Sequence, residues 1–247
     1  MVTEKYYSKR IGRPLLRTHI IKGLISILKT GIQWDHLPSE YGNYNSIYYH
    51  FNKWCKDGIF NLVHENILIK YQKKFKYKKN LKIQMIDASY IRSLKGGDMI
   101  GGNPSDRGRN ATKLSILADA NGCPINFIVN KGNIHDSKRI ENSVEDTLDS
   151  VIHKKTKSIL LADKGYSSNT CKDLCDKFSY KLYAPNKSNF KKNIFDMLAY
   201  NQYVNRFKVE RAFAWIKNFR KIRTRYECKI INFKSWIELA CSLIEYK

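Results

Sequence analysis

Residues 201–217 constrain the fold more than any other stretch of this chain. Val209, Phe213 and Ile216 recur at the i, i+4, i+7 spacing of a helix face turned to a core. Tyr203, Arg206, Glu210 and Lys217 stand in the pattern Y-x2-R-x3-E-x6-K. At about 100° per residue these four project within roughly 60° of one another. A carboxylate, two cations and a phenol therefore share one stripe beside the buried one, at the edge of a core. An amphipathic helix with an ordinary i,i+4 Arg–Glu pair explains part of this, at a few tenths of a kcal/mol. Four fixed residues at fixed spacing arise by chance in on the order of one such chain in a few hundred.

Charge narrows the partner. The chain of 247 residues carries 45 Lys and Arg against 22 Asp and Glu, a net charge of +23. So cationic a surface attracts polyanions, with nucleic acid ahead of an anionic membrane. No apolar run approaches the roughly 20 residues of a membrane span. The best stretch, His19 to Ile32, is broken by Lys22 and Lys29, and the first ten residues lack a signal-peptide core. Six scattered cysteines form no disulfide framework, and Cys171-x3-Cys175 lacks a matching Cys/His pair for zinc. These features predict a reduced cytoplasmic protein associated with the nucleoid.

Two regions are expected. Residues 1–79 read as a small all-α, helix-turn-helix-like module. One helix opens at Arg13-Pro14 and runs through Lys29, Asn45-Ser46 cap a second, and a third follows Gly58 into a Lys-rich segment at 70–79. From Asn80 the pattern changes. Strands are expected at Leu81–Ile91, Lys113–Ala118 and Pro124–Asn130, the last two joined by Asp119-Ala-Asn-Gly122, a strong hairpin signal. A helix at 136–153, a strand from Ser158 to Asp163, a helix near 169–178 and a strand near 180–184 follow. Helices at roughly 196–222 and 233–246 complete the chain. Three antiparallel strands and then alternating helices and strands fit an α+β, ribonuclease H-like domain over 80–247, a mixed sheet flanked by helices. Gly96–Pro104 reads as a flexible loop near the site and lacks the Lys-Ser/Thr of a phosphate-binding loop.

Asp87 ends the apolar run Met85-Ile86, and Asp163 ends Leu160-Leu161-Ala162. Either alone reads as a turn cap. Together with Glu210 on a helix edge they make a candidate set of three acids, which would repel one another unless cations neutralise them. Hard oxygen donors select Mg²⁺ or Mn²⁺, and two such ions suit in-line phosphoryl transfer. His135-Asp136 either pair near such a site or cap a helix.

Met85-Ile-Asp-Ala-Ser-Tyr-Ile-Arg92, Ala162-Asp-Lys-Gly-Tyr166 and the Tyr203–Lys217 string resemble the three acidic blocks of DDE transposases from bacterial insertion sequences. The similarity is to the insertion-sequence family numbered five, within the wider family-four-like superfamily. Thr30-Gly-Ile-Gln-Trp-Asp-His-Leu-Pro38 resembles that family's N-terminal helical module, and only eleven residues precede Gly12, fewer than relatives carry there. The resemblance implies a two-metal enzyme that nicks DNA at transposon ends and joins the freed 3′-hydroxyls to target DNA. It implies Asp87 shared between metals, Asp163 and Glu210 each completing one site, Arg206 and Lys217 gripping phosphates, and Tyr203 positioning a neighbour. DNA ends, target DNA and a dimer or larger assembly are the implied partners. Two alternatives stay open: a ribonuclease H-like metal nuclease, and a decayed or domesticated copy that binds DNA without catalysis.

Overall fold

A computed structural model describes residues 17–75, 83–133, 158–184 and 207–246. The expected helix at 136–153, His135-Asp136, Tyr203, Arg206 and the Arg13-Pro14 helix start lie outside them.

Three helices open the described chain: α1 (Arg17–Thr30), α2 (Tyr44–Lys56) and α3 (Ile59–Phe75). On α1, Ile20, Leu24, Ile27 and Leu28 are buried at the i, i+4, i+7, i+8 spacing of a core-facing stripe. Asn43, not the expected Asn45-Ser46, caps α2. Its side chain accepts the Asn45 N–H at 2.9 Å. The extended Asn43 follows Gly42, which turns the chain at φ 100°, so the carboxamide is already aimed at the orphan amides of the first turn.

The sheet comprises β1 (Ile83–Ser93), β2 (Gly101–Gly102), β3 (Asn110–Asp119), β4 (Pro124–Lys131), β5 (Ser158–Leu161), β6 (Tyr180–Tyr183) and β7 (Thr224–Arg225). β3 pairs antiparallel with both β1 and β4, while β5 runs parallel to β1 and to β6. The resulting order β4-β3-β1-β5-β6 is that of a ribonuclease H-like sheet. α4 (Asn169–Lys177) supplies the parallel crossover to β6. Three further helices follow: α5 (Lys208–Asn218), α6 (Arg220–Arg223) and α7 (Ile230–Glu245).

The helix expected through residue 222 is broken at Phe219, which is extended (φ −72°, ψ 109°). The short strands β2 and β7 were not expected either. β7 pairs with Arg92–Ser93 at the end of β1, so the chain must turn there to reach a sheet edge that no local pattern signals. Gly96–Pro104 is pinned rather than flexible. Asp98 N–H donates to the Cys228 carbonyl at 2.9 Å, and Thr112 Oγ1 donates to the Met99 carbonyl at 2.9 Å.

The two sheet faces bury different clusters. Met85, Ile91, Leu114, Ile116 and Leu161 pack with α5, α7 and the N-terminal helices. Ile86, Leu117, Leu160 and Ala162 pack with Tyr166 and with Cys171 and Cys175 of α4. Both cysteines are buried as reduced core residues. The N-terminal helices join the first cluster through Trp236 of α7, which stacks on Phe51 (centroids 4.4 Å) and touches Trp34 (6.0 Å). Arg225 is fully buried beneath this layer. It donates to Thr112 Oγ1 at 2.6 Å and to the carbonyls of Glu227 and Cys228, and its guanidinium covers Phe233.

A pH effect arises on α7. Burial pushes the Glu238 carboxyl from its ordinary 4.5 up to about 7, with His64 and Lys234 acting the other way. The fold therefore holds a proton that the unfolded chain releases, so this contribution is present below about pH 4.5 and lost as pH rises through about 7. Glu238→Gln should shrink the fall in melting temperature between about pH 5 and pH 8. An unchanged fall would remove Glu238 as its source.

Candidate active site

Alternation along β1 places Asp87 and Ser89 on the face of Met85 and Ile91, the face that α5 covers. β1 and β5 pair as Ile83↔Ile159, Gln84↔Leu160 and Met85↔Leu161. Continued by two residues, that register sets Asp163 opposite Asp87. The strands are about 4.8 Å apart, and Asp163 follows Leu161 on the α5 face. An independent sign of this closeness is Tyr166. Its buried hydroxyl is pushed upward first by desolvation and then by the charges of both Asp87 and Asp163. Each acid also accepts the amide of the next residue, Asp87 Oδ1 from Ala88 N–H at 2.8 Å and Asp163 Oδ1 from Lys164 N–H at 2.6 Å. The turn-cap reading holds for Asp163, which caps the turn after β5, whereas Asp87 lies within β1 and caps no turn.

α5 buries Val209, Ala212, Phe213 and Ile216 and leaves Glu210 exposed. Two contacts orient it. At one end the Lys208 carbonyl lies 2.6 Å from where a Cβ on Gly122 would stand, in the β3–β4 turn, where Gly122 has φ 78°. At the other end Lys217 Nζ donates to Ser89 Oγ at 2.6 Å. Because Asp119 beside that turn pairs with Gln84, α5 runs alongside β1 in the same direction. Glu210 lies seven residues before Lys217 on the same stripe, roughly 10 Å along the helix, on the side of the sheet that carries Asp87. Burial lowers the Lys217 pKa.

Asp87 and Asp163 are therefore brought together and Lys217 beside them, while Glu210 stays on the exposed edge of α5. Among the described residues no three His, Cys, Asp or Glu side chains form a metal-holding group. The paired acids nonetheless offer the all-oxygen donor set that suits Mg²⁺ or Mn²⁺. Three neighbours were not foreseen as site residues. Ser89 shares the Asp87 face by its i+2 spacing, a signal present in the sequence. Tyr166 closes the Asp-Lys-Gly-Tyr string, in which the acid alone stands out by residue type. Lys113 has its pKa lowered by burial and opposed by Asp87. It comes from the neighbouring strand, where the β1–β3 register sets it opposite Tyr90, whose ring its ammonium covers.

Residues 78–244 match the transposase DDE domain family, and residues 2–64 match a module described for transposases of the IS4/5 family. The chain belongs to the transposase DDE domain family. It is an enzyme, an insertion-sequence DDE transposase. Among curated relatives, a protein of Burkholderia cepacia provisionally described as a transposase for insertion sequence element IS402 is 27% identical over 155 residues. The match spans 60% of this chain and 69% of the relative. A second B. cepacia protein, an uncharacterized 16.2 kDa product of the IS402 element, is 27% identical over 99 residues, covering 39% of this chain and 66% of that one. Among solved structures, a pre-cleavage Mos1 transpososome covers 98% of the transposase chain and 82% of its own at 13% identity and TM-score 0.33. The catalytic core of BIV integrase covers 65% and 81% at 12% identity and TM-score 0.32. Likenesses this distant bear no weight beside the family match. No described helix of the transposase is long and apolar enough to cross a membrane.

Proposed function

We propose that this transposase cleaves DNA at the ends of its insertion sequence and joins the freed 3′-hydroxyls to target DNA by phosphoryl transfer. The observation that carries this reading is the parallel β1–β5 register, which, continued by two residues, sets Asp163 opposite Asp87 within the span that matches the DDE domain. Asp87, Asp163 and Glu210 would hold two divalent cations, Mg²⁺ or Mn²⁺, with Asp87 shared between them. Such cations, when bound, supply activation of the attacking oxygen and charge neutralisation at the leaving one. Lys217 would exchange its Ser89 partner for a phosphate oxygen, a stronger charge-assisted bond. Arg206 would grip a second phosphate and Tyr203 position a neighbouring group, as the stripe they share with Glu210 suggests.

Residues 1–79 would bind the terminal inverted repeats and residues 80–247 carry out the chemistry. Two ends must be held together, so a dimer or larger assembly on DNA is expected, working in the cytoplasm at the nucleoid. The net charge of +23 favours such binding. The test is cleavage and joining of a labelled duplex bearing the element's own end, with Mg²⁺, comparing wild type with Glu210→Gln. Joined products from wild type alone would support both the function and the third acid. Cleaved ends that are never joined would point to a metal nuclease, and specific binding with no product to a copy that has lost catalysis. Equal products from Glu210→Gln would remove Glu210 from the site.

A further inference from the structure

Beyond the acid face, a cavity of about 670 Å³ opens between the N-terminal helices and the segment that follows α5. Its size falls within the range of small-molecule sites. One wall is aromatic: Trp34, Tyr48 and Tyr226 line it, with the Trp34 and Tyr48 rings edge-on at 4.9 Å. Trp34 is held from behind by Phe51 and Trp236, so the wall is pre-organised. Tyr48 and Tyr226 are nevertheless 43% and 46% exposed, an unusual outlay of aromatic surface around one cavity.

The polar lining selects what can enter. Asp35 and Glu227 both line the cavity. Glu227 is already engaged, accepting from Trp236 Nε1 at 3.2 Å and ion-paired to Lys221 at 3.0 Å. Asp35 is exposed. A carboxylate here repels a phosphate but accepts a hydrogen bond from an amine. Lys95 also lines the cavity and is exposed, so it is available to a phosphate outside. A neutral flat group carrying a donor, attached to an anionic backbone, matches all three features.

We propose that this cavity takes one unstacked DNA base bearing an exocyclic amine, stacked on Tyr48 and Tyr226 with its amine toward Asp35. The proposal rests on the reading of the chain as a DNA-processing enzyme. Base stacking on aromatic side chains is the usual means of holding single strands, and paired bases inside a duplex cannot use it. Lys95 lies just past the end of β1, and from Asp87 to Ser93 alone that strand runs roughly 20 Å. At about 3.4 Å per nucleotide the captured base is some six nucleotides from the scissile bond, so the cavity holds a flanking base, not the reacting one.

The test uses the full chain with a short single strand containing 2-aminopurine, which carries an exocyclic amine and loses fluorescence on stacking. A duplex of the same sequence serves as control. Electrostatic binding to so basic a chain is common to all variants, so quenching is the decisive readout. Wild type should quench the single strand. Tyr48→Ala and Tyr226→Ala should bind it roughly ten-fold more weakly, about 1.4 kcal/mol, and lose the quenching, while duplex affinity stays within about two-fold and thermal denaturation matches wild type. Tyr48→Phe should retain quenching. Oligodeoxycytidylate should bind wild type more tightly than oligodeoxythymidylate, and Asp35→Ala should erase that preference. Quenching that survives both alanine variants, or an equal loss of duplex binding, would overturn the proposal. Wild type that binds duplex but never quenches the single strand would overturn the cavity alone. Wild type that binds neither would overturn the DNA-processing reading with it.

Discussion

Asp87→Asn is expected to cut metal-dependent end cleavage by about 10³-fold or more while duplex affinity stays within about two-fold. The change removes one negative charge from the paired acids and keeps the side-chain shape, so the Ala88 N–H retains an acceptor and the sheet has no reason to rearrange. Cation binding by a carboxylate contributes several kcal/mol to stabilising charge in a phosphoryl-transfer transition state, and each 1.4 kcal/mol is a factor of ten. Asp163→Asn should give a similar loss. The double variant should lose little more, because residues acting as one unit are not additive. Single-turnover cleavage of an end duplex measures all three. A rate within about ten-fold of wild type in Asp87→Asn would take Asp87 out of the chemistry, whatever the family match suggests.

The second large effect is structural. Trp236→Ala should destabilise the fold by about 3–5 kcal/mol, the range for deleting a buried large aromatic. Trp236 is fully buried. Its indole stacks on Phe51, meets Trp34, donates to Glu227 and lies beneath the Lys221 ammonium. It therefore couples the N-terminal helices to the segment following α5. Urea denaturation should show the loss as a lower midpoint with the slope preserved if the chain unfolds as one unit. A loss below about 1 kcal/mol would mean that the helical module is held by other contacts.

Much of this transposase was legible beforehand, for reasons that differ by residue. Asp87 and Asp163 stood out because each ends an apolar run, and the Asn121-Gly122 turn announced its hairpin through backbone chemistry alone. The stripe of Glu210 and Lys217 followed from helix periodicity. The break at Phe219 was not legible, because residues 219–223 are compatible with helix and only the pairing of Thr224–Arg225 with β1 opposes it. Arg225 itself reads as one more cation in a basic run, yet it is fully buried, since its donors meet the nearby carbonyls of Glu227 and Cys228 and a hydroxyl brought from β3. The aromatic cavity was equally hidden. Its walls come from residues 31–48, Lys95 and residues 221–227, and no local period links segments so far apart.

Local physics in the sequence determined most of the longer helices and strands, which faces are apolar, and that three acids border apolar runs or stripes. Those properties depend on neighbours a few residues away, so they can be read along the chain. Tertiary structure alone decided that Asp163 stands beside Asp87, that Lys217 reaches Ser89 while Glu210 remains exposed, and that Trp236 joins the two regions. Strand register, helix docking and burial of an arginine are set by the packing of distant surfaces, where shape and hydrogen-bond satisfaction select one arrangement from many with the same local pattern.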